Sequence, residues 1–210
     1  MAYPQGINFR ATAGFVTDVS PDAGEYSAGA DYPFTTAQGN TVGWESALAD
    51  MGGDRRDRST VPDVRLAGLH WIGADPPWTP GLDFRLDLPS AGNYDINLAS
   101  GDYSYARGPN KMELLDTSTS LGVLVNAATS AAAMFLDATG VERTAAAWPG
   151  SNAAVTKTFS TAICRFRVGG GASDVSAIAH LRVSAHTSPP GPITANRAYR
   201  PRPFAPGIAR

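Results

Sequence analysis

Two stretches of this chain mix aromatic rings with fixed polar groups: Trp71-Ile72-Gly73-Ala74-Asp75-Pro76-Pro77-Trp78 and Gly101-Asp102-Tyr103-Ser104-Tyr105-Ala106-Arg107. A pyranose is gripped by an aromatic surface for its apolar face and by a few polar groups for its hydroxyls. Trp71, Trp78, Asp102, Tyr103, Tyr105 and Arg107 are therefore the candidate sugar-binding residues. Trp78 is flanked by prolines, which cannot extend a central strand, so its ring is expected at a loop or sheet edge. Tyr103 and Tyr105 alternate with Asp102 and Ser104, which puts both rings on one face if the stretch is extended. In the competing reading these rings plug the ends of the fold. Trp44 shares a face with Val42 and reads as core.

Catalytic chemistry finds little support. There is no G-x-S-x-G elbow, and in Gly101-Asp102-Tyr103-Ser104 the tyrosine displaces the serine from a Gly-Asp-Ser block. Glycoside hydrolysis needs two carboxylates about 5–9.5 Å apart. Asp83 and Asp87 share a strand face but lie about 13 Å apart at ~3.3 Å per residue, flanking Arg85 as solvent-face charges. His70, His180 and His186 lack metal-ligand spacing, and no Cys pair or H-E-x-x-H motif accompanies them. Cys164 is the only cysteine, so no disulfide can form within the chain, and its strand-like setting reads as burial. The expectation is a protein with no catalytic residue and no metal site, not an enzyme.

The elements that would position these residues are strands. Leu82, Phe84, Leu86 and Leu88 alternate with Asp83, Arg85 and Asp87, and Tyr94, Ile96 and Leu98 repeat the period after a Pro89–Asn93 turn. The two runs are expected to form a hairpin. Further strands are expected at 7–10, 14–18, 41–46, 66–72, 112–116, 121–126, 153–159, 162–168 and 177–184, with turns at 39–40, 75–77, 108–110, 149–151 and 169–171. Helix is expected to be scarce, with the alanine-rich 127–134 as the best candidate and a short turn or extended stretch there as the equal alternative. The interleaved charges of Asp54-Arg55-Arg56-Asp57-Arg58 read as a solvated loop. Many short strands spaced by turns predict an all-β fold, a two-sheet antiparallel β-sandwich of the jelly-roll type.

A sandwich domain over 1–186 is expected to be followed by an extended C-terminal arm over 187–210. The arm carries six prolines and no acidic side chain, so it can neither complete a strand ladder nor supply a core. Extended as polyproline II it reaches about 75 Å at ~3.1 Å per residue. Its Arg200, Arg202 and Arg210 suit acidic grooves, and its Tyr199, Phe204 and Ile208 suit apolar pockets. These six are the candidate anchoring residues. The whole chain of 210 residues has 43% hydrophobic content and a net charge of −2, with the acidic excess in the body, which argues against nucleic-acid binding. No stretch approaches a membrane span or an export signal, so synthesis in a cytoplasm without membrane insertion is expected.

Three phrases carry a resemblance. Ile7-Asn8-Phe9 with Gly14–Asp18 and Val42-Gly43-Trp44-Glu45, then Leu88–Leu98, then Ile163–Val168 with Ala177–Val183, resemble the opening strands, central hairpin and closing strand pair of galactose-binding-like and malectin-like jelly rolls. That resemblance implies a carbohydrate-binding sandwich. It leaves a structural calcium ion open as the one cofactor, with Asp18, Asp22 and Asp31 in early loops but no D-x-D-x-D-G sequence. The sandwich followed by the arm ending Arg202–Arg210 is similar in style to accessory proteins of tailed-bacteriophage virions, of the decoration or fibre type. This implies a virion location, with other virion proteins or further copies of the chain as partners through the arm, and glycans as ligands. The alternatives are a carbohydrate-binding module of a polysaccharide-degrading system and, in third place, an esterase-like or lyase-like enzyme.

Overall fold

The computed structural model describes residues 5–10, 23–26, 31–36, 39–46, 53–58, 60–73, 81–170 and 175–187. The described strands, in chain order, are β1 (Gln5–Phe9), β2 (Ala23–Tyr26), β3 (Phe34–Thr35), β4 (Thr41–Trp44), β5 (Gly53–Asp57), β6 (Gly68–Ile72), β7 (Leu82–Asp87) and β8 (Gly92–Asp102). They continue as β9 (Asn110–Asp116), β10 (Thr119–Ala127), β11 (Met134–Leu136), β12 (Glu142–Thr144), β13 (Val155–Phe159), β14 (Ile163–Val168) and β15 (Ser176–Ala185). A 3-10 turn at Val64–Leu66 and one helix, α1 (Trp148–Ser151), complete the described elements.

These strands form two sheets, the sandwich that the alternation predicts. The first runs β12-β11-β8-β15-β1-β2, with β13 also on β8, β6 on β15 and β5 outside β6. The second runs β10-β9-β14-β7-β4-β3. Pairing within the sheets is antiparallel except for the parallel pair β1–β2.

The expected 82–98 hairpin does not form. β7 pairs with β14 and β4 in the second sheet, whereas β8 pairs with β15, β13 and β11 in the first, so the turn between them crosses the sandwich. Alternation reports only that one face is buried. Leu82, Phe84 and Leu86 look into the same core as Tyr94, Ile96 and Leu98, but from the opposite wall. The closing pair corrects in the same way: β14 belongs to the second sheet and β15 to the first.

Two other expectations are overturned, and at 127–134 the alternative to a helix holds. Residues 127–134 contain no helix, because Asn110 and Arg107 draw Ala127 and Thr129 into a strand end and loop. The turn at 149–151 lies instead within α1, with Pro149 in its first turn, where a missing N–H costs no helical bond. The charged run 54–58 is mostly strand: β5 pairs with β6 from Gly53↔Ile72 to Asp57↔Gly68. The strand candidate 14–18, the turn 75–77 and the arm beyond residue 187 lie outside the described residues.

Between the sheets lies a core including Ile7, Phe9, Trp44, Phe84, Ile96, Phe166 and Leu181. A smaller one, made of Leu66, Leu69, Ala99, Phe135, Ala145, Trp148, Ala177 and Ala179, sits on the outer face of the first sheet. A bulge on β15 makes both possible. Ile178 pairs with Ser100 but His180 with Ala99, so Ala179 is an extra residue. Ile178 and Leu181 therefore both face the main core while Ala177, Ala179 and His180 face outward. The outer face of the second sheet is a ladder of ion pairs, Arg167–Asp83, Arg85–Asp87 and Arg165–Glu45.

Candidate functional site

β8 ends at Asp102, and the chain then bends rather than continuing as a strand. At Gly101 φ is +153°, and a Cβ there would meet the Met134 carbonyl oxygen at 2.5 Å, so glycine is what lets β11 draw alongside. This close approach places Asp102 with its side chain fully buried, 0% exposed.

Two guanidiniums converge on it. Arg58 donates from Nε to Oδ1 (2.8 Å) and from Nη2 to Oδ2 (2.6 Å). Arg107 donates from Nε and Nη2 to Oδ2 at 3.1 and 2.9 Å. The Ser104 backbone N–H adds a third donor at 2.9 Å. Burial pushes the Asp102 carboxyl up, but the hydrogen bonds from Arg58, Ser104 and Arg107 outweigh it, and its pKa lies below the ordinary value. With both oxygens taken by donors, this carboxylate orients cations and is not placed to accept a proton from a substrate.

Tyr105 lies beside the pair. The Arg58 and Arg107 guanidinium carbons stand 5.4 and 5.2 Å from its ring centroid, and Arg107 is also 5.6 Å from that of Trp71. Tyr105 remains 58% exposed. Arg107 is fixed from its backbone as well, since its N–H donates to Thr129 Oγ1 and its carbonyl accepts from the Thr129 N–H.

Of the residues singled out in the sequence, Trp71, Asp102, Tyr105 and Arg107 thus come together. Tyr103 separates from Tyr105: because the stretch bends, Tyr103 packs with Trp71 against the small outer core, as a plug would, while Tyr105 stays open. Trp78 lies outside the described residues, as do Asp18 and Asp22. Asp31 makes an isolated bridge to Trp44. Among the described residues no three His, Cys, Asp or Glu side chains gather as a metal site would require. Tyr199, Arg200, Arg202, Phe204, Ile208 and Arg210 also lie outside the described residues.

Arg58 was missed. Its neighbours in the run 54–58 offer enough counter-charge to suggest self-neutralisation, and only the β5–β6 pairing reveals that it reaches 44 positions along the chain to Asp102. Replacing Asp102 by Asn is expected to cost about 3 kcal/mol, because two partly buried guanidiniums lose their shared counter-ion. Urea unfolding measures it, and an unchanged midpoint would mean that both arginines are held by other groups.

No family model and no curated protein matches the chain. Among solved structures, it is similar to the YxiM protein of Bacillus subtilis, with 11% identity over 88% of this chain and 40% of that one, at a TM-score of 0.47. It is also similar to a calcium-binding mutant of β-glucuronidase 2 from Bacteroides uniformis, with 13% identity over 88% of this chain and 18% of that one, at a TM-score of 0.47. A third is the N-terminal cellulose-binding domain of a Cellulomonas fimi β-1,4-glucanase C, with 11% identity over 65% of this chain and 90% of that one, at a TM-score of 0.25. The chain spans 40% and 18% of the length of the first two proteins.

Proposed function

We propose that this chain is a non-catalytic, glycan-adhesive β-sandwich carried on a phage particle and tethered there by its C-terminal arm. The observation that supports adhesion is the open Tyr105 ring flanked by two guanidiniums that Asp102 locks in place. The ring offers apolar surface to a sugar, the guanidinium N–H groups offer donors to its hydroxyls, and preorganisation reduces the entropy lost on binding. Binding at one such shallow platform is weak, and display in many copies raises it by avidity. The tether reading is supported by the composition of the arm, rich in proline and arginine and lacking acidic groups.

The adhesion reading is tested by glycan-array binding of the full chain. Tyr105→Ala is expected to weaken the glycan that binds best by about tenfold, the loss of an aromatic anchor. Equal binding by parent and variant, or no glycan retained at all, would reject it. The tether is tested separately. Deleting residues 198–210 is expected to remove the protein from purified particles while leaving its melting temperature unchanged, and undiminished incorporation would reject an anchoring arm.

A further inference from the structure

On the outer face of the first sheet, a cleft of about 220 Å³ is lined by Arg65, Asn97, Trp148, Asn152, His180 and Arg182 together with the first turn of α1. None of these residues belongs to the Tyr105 platform, and none was singled out in the sequence as a ligand. Its walls are held from behind. Asn97 Nδ2 donates to Asn152 Oδ1 at 2.8 Å, and Asn152 Nδ2 donates to the Trp148 carbonyl at 2.7 Å. Trp148 Nε1 donates to the Leu98 carbonyl at 3.1 Å, which pins α1 to β8. Arg65 is aimed by a two-pronged contact with Asp63, at 2.9 and 2.7 Å, and lies 5.0 Å from the Trp148 ring centroid.

The chemistry of this lining is specific. None of the described lining residues is acidic, and Asp63 is engaged with Arg65. The Trp148 ring is covered by Arg65 and meets His180 edge-on at 5.5 Å, so it has no open face for stacking. Recognition here must be polar. His180 Nδ1 is engaged with Asn8 Oδ1 at 2.9 Å, which leaves Nε2 as the ring nitrogen for the cleft. Burial and the nearby Arg65 and Arg182 charges keep that imidazole neutral, so Nε2 accepts rather than donates. A guanidinium has five N–H donors, so Arg182 can serve a ligand while keeping contacts elsewhere. The volume lies below the ~300–1,000 Å³ of pockets for drug-sized ligands and suits a single small ring.

We propose that this cleft binds a small hydroxylated carboxylate, the chemistry of an acidic sugar residue, with Arg182 and Arg65 receiving the carboxylate and His180 Nε2 accepting a ligand hydroxyl. The two requirements select one ligand class. A neutral sugar forgoes the charge-assisted hydrogen bonds that the guanidiniums offer, and a bare oxyanion makes no use of the imidazole acceptor.

The test titrates the full chain with D-galacturonate, D-galactose and inorganic phosphate, following the tryptophan indole N–H resonances. Galacturonate is expected to saturate, with galactose and phosphate each at least about tenfold weaker, the factor expected from a lost charge-assisted hydrogen bond. Arg182→Gln is expected to weaken galacturonate by a similar factor, whereas Tyr105→Ala leaves it unchanged. No saturable shift, galactose binding as well as galacturonate, or phosphate matching galacturonate would each overturn the assignment. If Arg182→Gln does not fold, the selectivity of the parent chain among the three probes still decides. Because the cleft shares no residue with the platform, its failure leaves the adhesion reading standing, and the reverse also holds.

Discussion

Acidification from pH 6.5 to 4 is expected to unfold the sandwich before most of its carboxylates titrate. His70 and His180 are both buried, and burial is the main cause that lowers them from 6.5 to about 4 and about 3. For His70 the Arg10 carbonyl and Asp57 pull back upward while Arg55 adds to the lowering. For His180 the Arg65 and Arg182 charges add to the lowering and Asp63 opposes it. In both cases the unfolded chain takes up the proton first. The stability these groups leave intact is therefore complete above pH 6.5, drains away as the pH falls toward 4 for His70 and toward 3 for His180, and then levels off. The differences correspond to on the order of 3 and 5 kcal/mol, which together rival the ~5–15 kcal/mol of a whole domain.

At His70 the cause has a visible geometry. Its Nε2 faces the Arg10 carbonyl at 2.9 Å, and Nδ1 accepts from Trp44 Nε1 at 3.0 Å. A second proton would place N–H against N–H inside the core. Lowered carboxylates, Asp102, Asp116 and Asp137 among them, extend the loss below pH 4, since their hydrogen bonds favour the ionised form. Circular dichroism against pH measures the transition, and a chain still fully folded at pH 3.5 would refute the two-histidine account. His180→Gln is expected to move the midpoint to lower pH.

Trp44→Ala is expected to remove about 5 kcal/mol, enough to leave much of the chain unfolded at room temperature. Trp44 is 1% exposed, packs edge-on to Phe84 at 5.1 Å and tilted to Phe9 at 6.0 Å, and donates to His70 Nδ1 at 3.0 Å. Removing it opens a cavity and takes a hydrogen bond from a buried acceptor. Trp44→Phe separates the two terms, retaining most of the volume and costing about 1–3 kcal/mol for the lost hydrogen bond. Denaturant midpoints of the parent and the two variants check the order, and a Trp44→Ala protein as stable as Trp44→Phe would contradict it.

The fold was legible where burial was one-sided. β7, β13 and β14 fall within runs expected from alternation, β9 and β15 overrun theirs by a residue or two, and Trp44, Val42 and Cys164 are core as their neighbours suggest. Sheet membership was not legible, because Leu82–Leu86 and Tyr94–Leu98 carry the same period whether they pair or face each other. The short strands β3, β11 and β12 have two or three residues each, too few to establish a period. β5 was hidden by charge, since a strand outside β6 can keep Arg56 exposed while Arg55 and Asp57 stay half-buried. At the candidate site, the aromatic–polar mixture pointed to Tyr105, Arg107 and Asp102, but the bend after Asp102 that divides Tyr103 from Tyr105 follows from Gly101 and β11, far apart in sequence. The Arg65–Arg182 cleft was invisible because its parts come from a 3-10 turn, two strands and α1, brought together by the bulge at Ala179.

β1 and β15 run antiparallel with Gln5 opposite Val183, so the chain enters and leaves the first sheet at the same end of one strand pair. A pull applied through both ends would peel that pair like a zipper, one rung at a time and at low force. A pull applied only beyond residue 187 runs instead into β15, which is flanked by β8 on one side and by β1 and β6 on the other, and the load spreads across the breadth of the sheet. How firmly the body withstands traction therefore depends on whether it is held from one side of that seam or from both.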